Sequence, residues 1–266
     1  MATPVPPPEK PTVSQPEKVH YLNLPCPVPY EDIHREAMIA LRPELFDGFR
    51  VDLSNKSIKD LQLVKVTTDG VLIARTISKL SSNITLNVAA HIVNQPNMSS
   101  CKGHIEYQGK SFMSQFEIGS GGSYGANYIQ RISQNVSLGG EAFWLGQQGQ
   151  SEVNFAARYE NEDKNVAVGQ VSSSGMVVLS YFQKLSEKLG IASEFMLNYL
   201  SRDVVASVGY VFSGQNRRVR GKVDSNGKVY GYLEEDLNAG LKFVLSAEID
   251  HLKKDHKFGF GLSSGQ

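Results

Sequence analysis

The side chains best suited to metal or acid–base chemistry are six histidines: His20, His34, His91, His104, His251 and His256. None has a partner at a ligand spacing such as His-x-x-x-His, so they read as surface or lumen histidines. Cys26 and Cys101 have no paired spacing, and neither a disulfide framework nor a zinc site is expected from them. The run Gly119 to Gly125, GSGGSYG, resembles a phosphate loop, but it lacks the Lys-Ser/Thr ending and no helix follows it. A hairpin turn is the better reading. With no nucleophile–base pair and no metal arrangement, no catalysis and no cofactor are expected. What remains is fixed charge. Glu141, Glu152, Glu160, Glu194, Glu248 and Asp250 each fall on the polar phase of an alternating segment. Arg218, Arg220 and Lys222 form a basic stripe, for which water or loops are a better neighbour than nucleic acid.

Those charges are positioned by a rhythm of two. In Gly240 to Asp250, Leu241, Phe243, Leu245, Ala247 and Ile249 alternate with Lys242, Ser246, Glu248 and Asp250, with Val244 the one mismatch. A period of two is a strand with one apolar and one polar face. The pattern recurs over 61–68, 71–81, 84–93, 101–108, 111–118, 123–132, 135–145, 152–160, 165–172, 176–185, 189–200, 203–212, 216–224, 228–236, 240–251 and 256–264, with a short first strand at 49–53. Segment 71–81 is weak, because Arg75 and Lys79 share a side with Val71 and Ile73. Asp69-Gly70, Gln108-Gly109, Ser174-Gly175, Ser213-Gly214 and Asn226-Gly227 are tight-turn pairs. Connections this short force antiparallel neighbours, a meander.

Composition allows this and excludes others. Among 266 residues, 27 basic and 27 acidic side chains balance, so no bulk field draws nucleic acid. No apolar run reaches the ~18 residues of a spanning helix. Mean hydropathy of −0.25 does not exclude a barrel, whose lipid-facing residues are diluted by lumen-facing ones. A soluble sandwich would also alternate, but about sixteen consecutive hairpin strands make a wide sheet with two open edges. Closure removes the edges, and at that strand number the interior is a water channel. Each Lys or Arg on lipid near the midplane would cost ~2–4 kcal/mol, so the charged face must be the inner one. The expected fold is all-β: a transmembrane antiparallel meander β-barrel of about 16–17 strands with a short N-terminal helix. Carboxylates lining such a passage attract basic passengers, or they keep it hydrated and pair with Arg158, Arg218, Arg220 and Lys242. Trp144, near a strand end, suits an interfacial aromatic girdle.

The first 20 residues are proline-rich and polar, with no apolar signal core, and are expected to be a disordered tail on a chain made in the cytosol. Residues 21–48 carry a short helix: Pro25, Pro27 and Pro29 forbid one before Tyr30, Glu31 and Asp32 suit its first turn, and Pro43 stops it. Ile33, Ala37, Ala40 and Leu41 share one side. That side packs on whatever core exists, or it seats the helix inside the pore as a plug. The barrel itself is expected over 49–266.

Several stretches, among them LPCPVPYEDIHREAMIAL, FDGFRVDLS, NYIQRISQNVSLGGEAFW, RRVRGKVDSNG and LSAEIDHLKKDHKFGFGL, resemble the channel-forming subunit of the mitochondrial outer-membrane protein translocase in its plant form. The resemblance runs from about Leu22 to the C-terminus. It implies a eukaryotic-porin barrel of nineteen strands that passes unfolded precursor proteins from the cytosol. The implied partners are basic presequences, a receptor subunit, small tail-anchored subunits, further copies of the barrel, and membrane lipid. It also implies presequence binding by the acidic lumen residues above. Its barrel-insertion signal maps to Lys257, Gly259 and Leu262, with Ser264 in place of the final hydrophobic residue. Sixteen or seventeen strands instead of nineteen imply a shortened barrel, whose last strand needs another closing partner. Seventeen keeps an odd number and parallel closure. The alternatives are a metabolite pore like the voltage-dependent anion channel and a soluble β-rich binding module.

Overall fold

The computed structural model describes residues 24–54, 61–66, 72–93, 99–146, 149–161, 164–237 and 240–265. The proline-rich tail and the Asp69-Gly70 turn lie outside them. Among the described residues, a 3-10 turn, Tyr30–Asp32, and one helix, α1 (Arg35–Leu41), precede seventeen strands. They are β1 (Gly48–Ser54), β2 (Leu61–Val66), β3 (Leu72–Lys79), β4 (Ile84–Ile92), β5 (Ser100–Gln108), β6 (Phe112–Gly119), β7 (Ser123–Arg131), β8 (Val136–Leu145) and β9 (Gln150–Asn161). The rest are β10 (Asn165–Ser172), β11 (Met176–Lys184), β12 (Leu189–Asn198), β13 (Asp203–Ser213), β14 (Arg217–Asp224), β15 (Lys228–Leu237), β16 (Leu241–Asp250) and β17 (Asp255–Gly265).

From β2 to β17 every strand pairs antiparallel with the next, because the turns between them are too short for a crossover. The glycine-rich run is one of these hairpins, with Gly121 and Gly122 at φ 77° and 72°. β1 then pairs parallel with β17, Gly48 opposite Gly259 through Ser54 opposite Gly265, and β1 runs beside β2. The last strand's partner is therefore the seven-residue β1, with no ladder between β1 and β2 among the described residues.

Alternation sorts the two faces. In β9, Val153, Phe155, Ala157 and Tyr159 are exposed, while Asn154, Ala156 and Arg158 between them are buried. Phe155 is 66% exposed and Arg158 only 2%. The same inversion of a soluble core holds around the sheet: Phe116, Ile118, Leu138, Leu179, Val208, Leu245 and Phe258 are exposed, and Gln115, Ser137, Ser180, Glu194, Ser207, Ser246 and Asp250 are buried. An apolar outer band and a polar interior are what a bilayer outside and water inside require. Trp144 lies on the outward phase at the end of β8, opposite Tyr124. In β3 the inward phase mixes Arg75 with Ile77, which face Ala89 and Asn87, so its alternation is blurred.

Candidate functional site

The buried apolar clusters lie on the inward face, where the N-terminal segment is seated. Tyr30 and Ile33 pack with Met113, Ile129, Ala156, Val166 and Val168. Ala37, Ala40 and Leu41 pack with Ala192, flanked by Phe182 and Val211. The helix is thus a plug inside the barrel. Two inward glycines make room for it: a Cβ at Gly139 would press on Tyr30, and one at Gly209 on Leu41.

Polar contacts fix the plug's register. Arg158 Nη1 and Nη2 donate to the two Glu36 carboxylate oxygens at 2.7 and 3.0 Å, and Nη1 also donates to the Ile33 carbonyl at 2.8 Å. Arg42 pairs with Glu194 at 3.5 Å. His34 Nε2 meets Gln170 Oε1 at 2.9 Å, and its Nδ1 meets the Ser180 hydroxyl at 2.7 Å. A neutral ring protonated on Nε2 satisfies both, with Ser180 donating to Nδ1. Burial pushes the His34 pKa down, against the opposing pull of Gln170 and Glu194. For Glu36, burial would raise the carboxyl's pKa, but the hydrogen bonds and charge of Arg158 outweigh it and hold it below the usual range. Past Pro43, the Phe46 carbonyl accepts from the Ser246 hydroxyl at 2.7 Å.

All six carboxylates singled out by pattern lie on the inward phase, with different partners. Glu160 meets Arg131 at 3.4 Å and Arg158 at 3.5 Å. Glu248 and Asp250 share Lys228 at 3.5 and 3.7 Å. Glu194 holds Arg42 of the plug. Glu141 accepts from Asn154 Nδ2 at 3.1 Å, and Glu152 from the hydroxyls of Ser172 and Ser174. Glu141 and Glu152 are therefore met by neutral donors. Glu31 of the plug and Glu117 of β6 lie near enough to add to the negative field at Glu141. Glu31, Glu117 and Glu141 border a lumenal cavity of about 710 Å³ lined also by Arg75, Asn87, Lys102 and His104.

The expected cation partners differ from this. Arg158 does pair with Glu160, but Lys242 binds Glu234 and Asp236 at 3.0 and 3.2 Å. Arg218, Arg220 and Lys222 face the lumen without a carboxylate partner among the described residues. Arg220 and Lys222 instead lie 5.1 and 5.2 Å from the rings of Tyr232 and Tyr230. The sequence pairs few of these groups because register, not spacing along the chain, decides which strands meet. Glu36, Glu31 and Glu117 were not singled out for the same reason, since their neighbours come from distant strands.

In the insertion-signal positions, Lys257 stands opposite Glu248 and Leu262 opposite Phe243 on the outward phase. Gly259 faces inward, where a Cβ would collide with the Phe46 carbonyl and the Ser246 hydroxyl.

A curved meander with an apolar exterior, a charged inward face, a parallel β1–β17 seam and a seated plug defines a membrane β-barrel pore. Solved structures agree on the fold: Rhodopseudomonas blastica porin, in an engineered triple variant, matches with a TM-score of 0.54 over 71% of this chain and 86% of its own, at 8% identity. The eukaryotic porin family matches residues 56–259. The probable mitochondrial import receptor subunit TOM40-2 of Arabidopsis thaliana is 46% identical over 293 aligned positions, 93% of each chain. The Xenopus tropicalis TOM40 homolog is 27% identical, covering 74% of this chain and 61% of its own. The human TOM40 homolog is 31% identical, over 60% and 47%. The chain belongs to the eukaryotic porin family and, within it, to the plant-type TOM40 import-receptor subunits. Because the plant alignment of 293 positions exceeds the 266 residues of this chain, that relative carries internal segments absent here.

Proposed function

We propose that this chain is the protein-conducting channel of the mitochondrial outer membrane, passing unfolded precursors from the cytosol. The likeness to the plant import-receptor subunit carries this reading, and the lumen supports it in detail. Glu31, Glu141 and Glu152 form the carboxylate field that a basic presequence would meet, with Glu141 and Glu152 held by neutral donors and Glu117, paired with Lys102 at 2.7 Å, beside them. Glu160, Glu194, Glu248 and Asp250, already held by cations, serve the wall and the plug. Its partners in the membrane are a receptor subunit, small tail-anchored subunits, further barrels and lipid. Lys257, Gly259 and Leu262 guide its insertion.

A metabolite pore is the second reading, favoured by the row Arg218, Arg220 and Lys222, which forms no ion pair among the described residues and would draw anions. Planar-bilayer recording separates them. The import channel prefers cations and is blocked by a basic amphipathic peptide, with block weakened roughly tenfold by Glu141→Lys with Glu152→Lys. Anion preference without block selects the metabolite pore.

A further inference from the structure

β4, β5 and β6 place Asn87, His104 and Glu117 on one rung facing the lumen, Asn87 opposite His104 and His104 opposite Glu117. Directly opposed residues on one face have Cβ atoms about 4.5–5.5 Å apart. Glu31, carried by the 3-10 turn of the plug, reaches the same point. One ligand atom from each of Glu31, His104 and Glu117 lies within 4.8 Å of the others, beside the cavity described above. We propose that Glu31, His104 and Glu117 form a site for a first-row divalent cation, with Zn²⁺ as the fitting ion, that ties the plug to the barrel wall.

The donor set selects the class. One imidazole with two carboxylates suits zinc and its neighbours, whereas calcium and magnesium take six or more oxygens. Three protein ligands leave a fourth position for water.

A second observation points to a ligand here. Asn87 is 8% exposed, and its Oδ1 is buried with no hydrogen-bond partner, while its Nδ2 lies 2.8 Å from His104 Nε2. Exchanging the amide's oxygen and nitrogen lets Oδ1 accept from an Nε2–H. Oδ1 is then satisfied and the other ring nitrogen offers its lone pair, while Nδ2 takes the buried position without a protein acceptor, where a metal-bound water would accept from it. The bond from Nε2–H to Oδ1 is the orienting hydrogen bond a metal-bound histidine characteristically makes. The opposing charges are Arg75, which also lines the cavity, and Lys102, whose Nζ is 2.7 Å from Glu117 Oε1. The Lys102 side chain is 62% exposed, so it has solvent to withdraw into. Glu141, which lines the same cavity near Glu31 and Glu117, adds negative potential on the favourable side.

The site shares Glu31 and Glu117 with the lumen wall that a presequence would pass, and its test reads ion binding instead of conduction, so the two readings fail separately. Its test is Zn²⁺ titration of the purified full chain refolded in detergent, by calorimetry, with X-ray absorption on the loaded protein. The expected result is one Zn²⁺ per chain, a nitrogen/oxygen shell without sulfur, and affinity at least tenfold weaker in both His104→Gln and Glu31→Gln. His256→Gln leaves binding unchanged. Glu31 lies on the plug rather than a strand, so Glu31→Gln leaves the barrel able to fold and keeps the test decisive. Absence of binding, a sulfur-containing shell, or undiminished affinity in both variants overturns the proposal.

Discussion

Arg158 is the residue on which the plug turns, because it is nearly fully buried and satisfies both a carboxylate and a carbonyl of the incoming segment. Removing one partner of such a pair strands the other, at about 3–5 kcal/mol. Arg158→Ala should therefore free the plug, seen as faster alkylation of Cys26, whose thiol lies 3.7 Å from the Phe112 carbonyl; an unchanged rate would remove Arg158 from that role. Acid should act the same way. His34 has a depressed pKa in the docked state, so the undocked state binds more protons and docking weakens as pH falls below about 6.5. An imidazolium there would face Arg42 and Arg158, with Glu194, Gln170 and Ser180 as its remaining neighbours. Glu36, also depressed, adds docking stability above its undocked pKa of about 4.3 and loses it as pH falls toward its docked value. Cys26 labelling normalised to its intrinsic pH dependence should rise on acidification, and His34→Gln should flatten the limb between about pH 7 and 5.5. Neither contact was legible beforehand, since Arg158 and Glu36 are 122 positions apart and no local pattern joins them.

Elements were far more legible than contacts. Alternation and turn residues place β10 at 165–172 as observed, and most other strands within two residues, because period and turn chemistry are local properties. β3 was weak for a physical reason: its lumenal phase carries both Arg75 and Ile77, and neither face is uniform. The helix was legible, but its seat was not; that depends on inward apolar residues such as Val166 and Val168, which a polar lumen would not lead one to expect. The zinc ligands were missed likewise, as cross-strand register assembles them instead of a helical spacing. Substituting the seated side chains tests it. Tyr30→Asp with Leu41→Asp should expel the plug while leaving the barrel, because both side chains are buried on the plug and neither belongs to a strand. Lost burial of about 1.5–3 kcal/mol per large apolar side chain is enough to undock so short a segment. Larger, noisier conductance with unchanged heat-modifiable gel mobility is the expected signature; unaltered conductance would place the helix elsewhere.

For the whole molecule, one assignment of solvent to each face underlies everything else. A charge added outside should be costly and one added inside tolerated. Phe155→Lys should lower stability in lipid vesicles by ~2–4 kcal/mol, whereas Thr85→Lys, opposite Glu106 at the lumen wall, should change it little; urea unfolding reads the difference. The most direct measurement is cysteine scanning along β5 and β6 of the membrane-inserted protein, with Cys26 and Cys101 replaced by serine. Cysteine at Lys102 and Glu117, on the inward phase, should react with a water-soluble thiol reagent, and cysteine at Phe116 and Ile118 should stay unreactive but be quenched by lipid-borne probes when labelled before insertion. Reactivity at Phe116 and Ile118 with protection at Lys102 and Glu117 would contradict the account.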